Sequence, residues 1–392
     1  MAVGWDTAVA GWEGFAPLAG DVVADACVVG LGASGLAAIE AFLDRGLSVV
    51  GVDAGRVAAG AAGRNGGFLL GGPALALHRA VERWGPAATD LYRDTLEELD
   101  RLSALLGPSV IRRVGSIRLA GLPGGPEDEA EEADRDAEVA DCAAQATVMR
   151  EHGIAVEEYD GPLGVGLYLP DDAAMNPAVR ATRLAEGLGR RAPLHEHTPV
   201  TSVGGGAVVT ERGVIRARFV VVAVDGRLER IVPALRPHVR TARLQMLSSA
   251  PVPSHRLPCP VYARWGYDYA QQLLDGRLYV GGGRDRFRDE EWTHDAEPTE
   301  AVQRHIEDVA RRMAGGAVRV EHRWAASVGW TPDDRPLCAR VEEGVVAIGG
   351  YNGTGNLVGP VTARAAVEYL LDGKTPPAWA NALDTAPDTA TD

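Results

Sequence analysis

The chain has 392 residues, 46% of them hydrophobic and 24% charged, with a formal net charge of −15. That length exceeds one ordinary domain, so two intertwined domains are expected, and the composition is that of a soluble globular protein. The acidic balance argues against a nucleic-acid surface, and no apolar run is long enough for a membrane partner.

The N-terminus carries Trp5, Asp6, Trp12 and Glu13 where an export signal would be basic, which predicts a cytoplasmic protein. Residues 1–20 read as an irregular lead-in. Ala24 to Val29 is a short apolar run of the kind that forms a buried parallel strand. It leads into Gly30-Leu31-Gly32-Ala33-Ser34-Gly35, then a helical stretch from Leu36 to Leu43 that stops at Gly46. Leu47 to Val52 is a second strand, ending on Asp53. In such a unit Gly30 permits the tight turn, Gly32 lets a pyrophosphate approach the backbone, and Gly35 lets helix and strand pack closely. The helix N-terminus favours the negative charge, and an acid about 20 residues on accepts a ribose hydroxyl, so a dinucleotide is expected here.

Gly60 to Phe68 is a loop of small residues that can lie flat against a cofactor, with Arg64 and Asn65 as donors; a plain linker is the alternative. Helices are predicted over 73–107, 127–152 and 177–191 (Asn176 as cap), and a strand from Val110 to Leu119. The acidic run from Glu127 to Asp141 reads as a solvated helix face. A hairpin is predicted from Pro199 to Val203 and Ala207 to Thr210, and Arg218 to Val224 suits the centre of a sheet, followed by Asp225-Gly226. Leu235 to Trp330 alternates in places and suggests an antiparallel sheet. Gly344 to Ile348 is a strand, and a helix starts at Asn356 with Pro360 in its first turn. Cys27, Cys142, Cys259 and Cys338 lack metal spacing, no metal site is expected, and Lys374 is the only lysine.

These pieces together resemble the D-amino-acid-oxidase-like flavoproteins, which include glycine, sarcosine and gamma-glutamylputrescine oxidases. The resemblance runs from Ala24 to about Gly373 and rests on Val29 to Gly35, Gly60 to Gly67, Phe219 to Gly226, Tyr279 to Gly283, Asp333-Asp334-Arg335-Pro336 and Gly349 to Gly355. Gly63-Arg64-Asn65-Gly66-Gly67 and the Trp-rich lead-in look most like the gamma-glutamylputrescine oxidase branch. It implies an α/β (α+β) fold: a Rossmann-like FAD-binding domain with a parallel sheet, interrupted by an antiparallel-sheet substrate domain that covers the flavin. The expected boundaries give the FAD-binding domain 21–107, 171–235 and 331–375, the substrate domain 108–170 and 236–330, and a flexible tail at 376–392.

Carried over by position, Gly30, Gly32, Ala33, Ser34 and Gly35 would hold the pyrophosphate, with Asp53, Ala54 and Arg56 at the adenosine ribose. Ala61, Ala62, Gly63, Arg64, Asn65, Gly66 and Gly67 would line the phosphates and ring, and Val200 the adenine. Gly226, Gly350, Gly353, Thr354, Gly355, Asn356 and Leu357 would close over the flavin, the helix N-terminus facing its anionic edge. The resemblance also has departures. Ser327-Val328-Gly329-Trp330 has no cation where glycine oxidases clamp a carboxylate, and Leu357 stands where sarcosine oxidases place a lysine. No cysteine follows the last flavin loop. Noncovalent FAD and a substrate not held by its α-carboxylate are therefore expected.

The implied reaction is oxidation of a C–N bond of an amine or amino acid to an imine, with hydride transfer to flavin N5 and return of electrons to O2. The nitrogen must be neutral, which a desolvated aromatic cage favours; Trp265, Tyr267, Tyr269 and Trp330 are candidates, with core packing as the alternative. Arg284 faces the flavin or an anionic group, or else forms a surface salt bridge, and Asn65 completes the catalytic candidates. His255, His294, His305 and His322 are given no catalytic role. A dehydrogenase passing electrons to another carrier, a nicotinamide enzyme and a catalytically silent partner subunit stay open, as does the oligomeric state.

Overall fold

The computed structural model describes residues 3–252 and 257–384. His255 and residues 385–392 of the expected tail lie outside the described residues. The chain divides into two compact units, one of residues 1–8, 64–177 and 243–326 and the other of residues 9–63, 178–242 and 327–392.

The second unit is built on a nine-stranded mixed sheet. In order across it run Asn381–Asp384, Leu337–Glu342, Val345–Gly349, Gly213–Val222, Val22–Val29, Val49–Val52 and Leu194–His195. Val22–Val29 pairs in parallel with Gly213–Val222 on one side and Val49–Val52 on the other. These strands are apolar on both faces (the last four residues of the first strand and all of Val49–Val52 are buried), as expected where helices cover a parallel sheet. Two of the covering helices, Ala33–Asp44 and Gly355–Asp372, pack against each other. The hairpin Val200–Gly204 and Ala207–Thr210 extends from Gly213–Val222.

The first unit has an eight-stranded sheet in the order Val320–Trp330, Arg240–Pro251, Arg277–Gly282, Asp268–Gln272, Val261–Ala263, Ser116–Leu119, Gly164–Leu169 and Glu157–Gly161. Every pairing whose register is known is antiparallel except that of Val261–Ala263 with Ser116–Leu119. A core of Ile117, Leu247, Val261, Val280, Ile306 and Met313 lies between this sheet and the helix Glu300–Ala314. No helix among the described residues is long and apolar enough to cross a membrane.

Several expectations need correction. The chain passes between units after Gly63, not after residue 107, so 64–107 packs with the antiparallel sheet. The helix expected over 73–107 is two helices, Leu77–Trp84 and Ala87–Leu106, because Gly85 (φ +61°) and Pro86 interrupt it. The strand from Val110 to Leu119 is likewise split at Gly115, φ +71°. The acidic helix Glu129–Glu151 is not wholly solvated: Glu138 is fully buried, accepting from the N–H groups of Gly121 and Trp265, and the buried Asp141 meets Arg118 and Arg79. Asn381–Asp384 is a strand alongside Leu337–Glu342 rather than a frayed tail. The lead-in is anchored as well: Glu196 accepts from Trp12 Nε1 at 3.1 Å and the Phe15 N–H at 3.0 Å.

Candidate functional site

The glycine turn of the second unit has the shape its sequence demands. Gly30 sits at φ +103°, and a Cβ there would lie 2.5 Å from the Ala223 carbonyl. A Cβ on Gly35 would lie 1.8 Å from the Gly30 carbonyl, so only glycine permits the close crossing. A Cβ on Gly32 would meet only Ala62, at 3.4 Å, so its backbone stays approachable. Gly32 caps the helix Ala33–Asp44, whose first N–H groups have no partner within the helix and carry its positive dipole end. This is a cradle for a dinucleotide pyrophosphate.

Asp53, half-buried at the end of Val49–Val52, reaches back into the turn. Its two carboxylate oxygens accept from the Leu31 N–H at 2.7 Å and the Gly55 N–H at 2.8 Å. Burial raises its pKa, and those two N–H groups oppose the rise. A carboxylate has about four lone-pair sites, so it can hold the turn and still accept a hydroxyl. Ala54 and Arg56 follow on the same loop, exposed and half-buried. Val57 donates its N–H to Glu196, the buried acid that also holds Trp12 and Phe15. Val200 opens the nearby hairpin, opposite Thr210. Ala61, Ala62 and Gly63 begin a one-turn helix ending at Arg64, and a Cβ on Gly63 would lie 2.2 Å from the Ala58 carbonyl.

Elsewhere in this unit, a half-buried carboxylate organises the glycine loop before the last helix. Asp225, at φ +49°, accepts from the N–H groups of Gly350 at 2.8 Å and of Gly329 and Tyr351, each at 3.2 Å. Burial pushes it up to about 6 against the pull of those donors. A Cβ on Gly226 would lie 2.4 Å from the Ser327 carbonyl. Asn352 accepts from the Thr331 N–H and donates to the Gly350 carbonyl, and Thr354 Oγ1 donates to the Tyr351 carbonyl. Gly353 (φ +94°) has only Trp330 nearby, its ring 3.9 Å from a Cβ built there. The helix then runs over Gly355–Asp372, with Leu357 buried. Pro360 stands at its sixth residue, not in its first turn, and has no N–H to give the Asn356 carbonyl four residues back. The buried Arg180 donates to that carbonyl instead, Nη2 to oxygen 2.9 Å.

The first unit holds the remaining candidates. Gly66 lies against the Tyr269 ring, a Cβ built there coming 3.0 Å from its nearest carbon, and Asn65 Oδ1 accepts from the Gly67 N–H at 2.8 Å. Tyr269 also packs under Gly281 and edge-on to Phe68, and burial raises its hydroxyl pKa. Tyr267 is half-buried and follows Arg264 and Trp265, both at positive φ. Arg284 is buried, its guanidinium 4.4 Å from the Trp292 ring centroid, which corrects the surface-residue alternative. Trp330, the fourth cage candidate, belongs to the other unit. Of the histidines, His305 pairs with the buried Asp268 at 2.8 Å and His322 with Ser248 at 3.1 Å. Lys374 is on the surface, beside Glu368.

Residues 25–369 match the family described as FAD dependent oxidoreductase. The chain belongs to that family. Among its relatives, the probable oxidoreductase OrdL of Rhizobium meliloti is 26% identical over 380 residues, 92% of this chain and 86% of that protein. Gamma-glutamylputrescine oxidoreductase of Escherichia coli is 24% identical over 383 residues, covering 89% and 84%. The fold is that of glycine oxidase from Geobacillus kaustophilus, with a TM-score of 0.69 at 20% identity over 90% of this chain and 95% of that one. L-amino acid deaminase from Proteus vulgaris also superimposes, with a TM-score of 0.69 at 18% identity over 94% and 96%. This FAD-dependent oxidoreductase carries residues that fit its cofactor, since the Gly32 backbone is approachable where Gly30 and Gly35 are closed.

Asp225, Asn352, Arg180 and Glu196 were not among the expected site residues. Only Pro360 left a signal: a proline inside a helix frees a carbonyl, and a donor is then needed.

Proposed function

We propose that this chain oxidises a C–N bond of an amine or amino acid to an imine, using noncovalently bound FAD that O2 reoxidises with release of H2O2. One observation carries the reading: a single unit presents two helix N-termini entered from glycine-rich loops, Ala33–Asp44 capped by Gly32 and Gly355–Asp372 capped by Thr354. The first would hold the pyrophosphate, with Gly30, Gly32, Ala33, Ser34 and Gly35, and Asp53, Ala54, Arg56 and Val200 would serve the adenosine end. Ala61 to Gly67 would line the phosphates and ring. The second, with Gly226, Gly350 and Gly353 to Leu357, would face the flavin edge that becomes negative on reduction, where a positive dipole end is stabilising. FAD, when bound, supplies a hydride acceptor at its N5.

The chain's own part is to bind and orient. Family membership and relatives named for amine and amino-acid substrates support a nitrogen-bearing donor. Tyr267 offers an aromatic face, and the raised Tyr269 phenol stays a neutral donor at physiological pH. Gly329 gives its N–H to Asp225, and Ser327 to Trp330 bring no cation for a carboxylate. A substrate held otherwise than by its α-carboxylate fits that. Noncovalent attachment is supported by the thiols: Cys27, Cys259 and Cys338 are buried and raised to about 12, and Cys142 to about 11. The thiolate is the reactive form, and such thiols scarcely populate it.

The test is to load the chain with FAD, denature it in acid and follow oxygen uptake with a panel of primary and secondary amines. The expected result is yellow supernatant and amine-dependent peroxide. Flavin retained on the precipitated chain would refute noncovalent binding, and amine oxidation with an added carrier but no oxygen uptake would make it a dehydrogenase.

A further inference from the structure

In the second unit, residues 53–57 run alongside residues 195–198. The Asp53 N–H donates to the His195 carbonyl at 2.9 Å, the His197 N–H to that of Gly55 at 2.9 Å, and the Thr198 N–H to that of Asp53 at 2.7 Å. One side chain completes the pairing. Glu196 is 2% exposed, and its Oε1 accepts from the Val57 N–H at 2.6 Å and from Trp12 Nε1 at 3.1 Å, while Oε2 takes the Phe15 N–H at 3.0 Å. The lead-in is fastened to the same run at two further points. Thr198 Oγ1 accepts from the Leu18 N–H at 3.0 Å, and His195 Nδ1 lies 3.0 Å from the Ala16 carbonyl. Gly14 (φ +75°) passes so close over Glu196 that a Cβ there would strike Oε2. All of these residues belong to one unit.

A carboxylate taken out of water has to be met by donors, and two of the three that meet Glu196 come from the lead-in. The third is the Val57 N–H, at the far end of the loop that Asp53 opens. That loop is therefore tied at both ends, by Asp53 to the glycine turn and by Val57 to Glu196. The run that carries Glu196 leads straight on to Val200, so one acid stands between the two pieces expected at the adenosine. We propose that Glu196 is a positioning residue for the adenosine end of the cofactor, fixing the Asp53–Val57 loop beside Val200 with residues 12–18 strapped over it. This rests on the FAD reading above. The lead-in then acts on the nucleotide through Glu196. Glutamine keeps the shape of the side chain, but both oxygens of Glu196 receive N–H groups, so the amide NH2 must face at least one of them.

The experiment compares wild type, Glu196→Gln and Trp12→Phe, the last removing a single donor from the lead-in. Affinities for FAD and for adenosine monophosphate, which probes the adenosine end alone, are measured well below the melting temperature of every chain. A variant that is merely less stable is fully folded there and binds like wild type. The midpoint potential of the flavin is read at saturating FAD. Loss of one charge-assisted hydrogen bond predicts about tenfold weaker binding of both ligands by Glu196→Gln, and a smaller loss of both by Trp12→Phe, with the potential unmoved. In wild type, adenosine monophosphate should also slow amide exchange at Phe15 and Val57, since coupling is reciprocal. Should Glu196→Gln not fold, Trp12→Phe and the exchange measurement decide. Variants that bind both ligands like wild type, FAD affinity that falls while that for adenosine monophosphate stays, or exchange at Phe15 indifferent to the ligand would each overturn the proposal. Wild type that takes up no FAD would end the underlying reading too, whereas FAD-binding wild type with indifferent variants ends this proposal alone.

Discussion

Asp225 gathers three backbone N–H groups from Gly329, Gly350 and Tyr351 while sitting in a left-handed conformation. Replacing it with asparagine puts an amide NH2 against at least one of those donors. The substitution should cost about 1–3 kcal/mol, read from chemical denaturation at pH 7. The pH dependence has a definite sign. Burial raises the folded-state pKa to about 6 from an ordinary 3.8, so on acidification the folded chain takes up the proton first. Asp225 therefore adds stability as pH falls from 7 through 6, about 1 kcal/mol by pH 5. The gap between wild type and Asp225→Asn should widen between pH 7 and pH 5; a gap that narrows would mean the folded chain holds the charged form more tightly than the unfolded one. Sequence alone places Asp225 at a strand end but gives no hint of its partners, which lie over a hundred residues away. Glu196 is hidden for the same reason, its partners Trp12 and Phe15 being equally remote.

Elements whose signals are local were legible. The strand, glycine turn, helix and strand around Gly30 to Asp53 could be read because each glycine answers to a neighbour within the unit or to the strand beside it. The same contacts predict a graded outcome. Gly32→Ala should fold with a melting temperature near wild type, since only Ala62 gives way, yet bind FAD at least tenfold more weakly. Gly35→Ala should fail to fold, because its Cβ would collide with the Gly30 carbonyl. Equal melting temperatures for the two would contradict the account of the turn. The last helix gives a second element-scale test. Arg180 donates to the Asn356 carbonyl, the one to which Pro360 has no N–H to give. Arg180→Met should destabilise by about 1–3 kcal/mol, and by less in a Pro360→Ala background, where the helical N–H returns. Additive effects in that cycle would disprove the relation. Boundaries set by irregular backbone, such as the breaks at Gly85–Pro86 and Gly115, escaped periodicity because composition stays helix- or strand-like on both sides.

At the scale of the whole chain, the order of motifs carried the family and the alternation of parallel and antiparallel sheet, both matched by residues 25–369 and by the fold of glycine oxidase. What it misplaced was the passage after Gly63, because the glycine-rich loop from Gly60 onward reads as one segment although its halves pack in different units. The central claim is that this oxidoreductase takes hydride from a carbon bound to nitrogen. The most direct measurement is the visible spectrum of the FAD-loaded chain titrated anaerobically with amines and amino acids, beside matched alcohols and hydroxy acids. The account predicts that flavin absorbance bleaches with a nitrogen-bearing donor and with none of the oxygen analogues. Bleaching by a hydroxy acid or alcohol while every amine leaves the spectrum unchanged would contradict it.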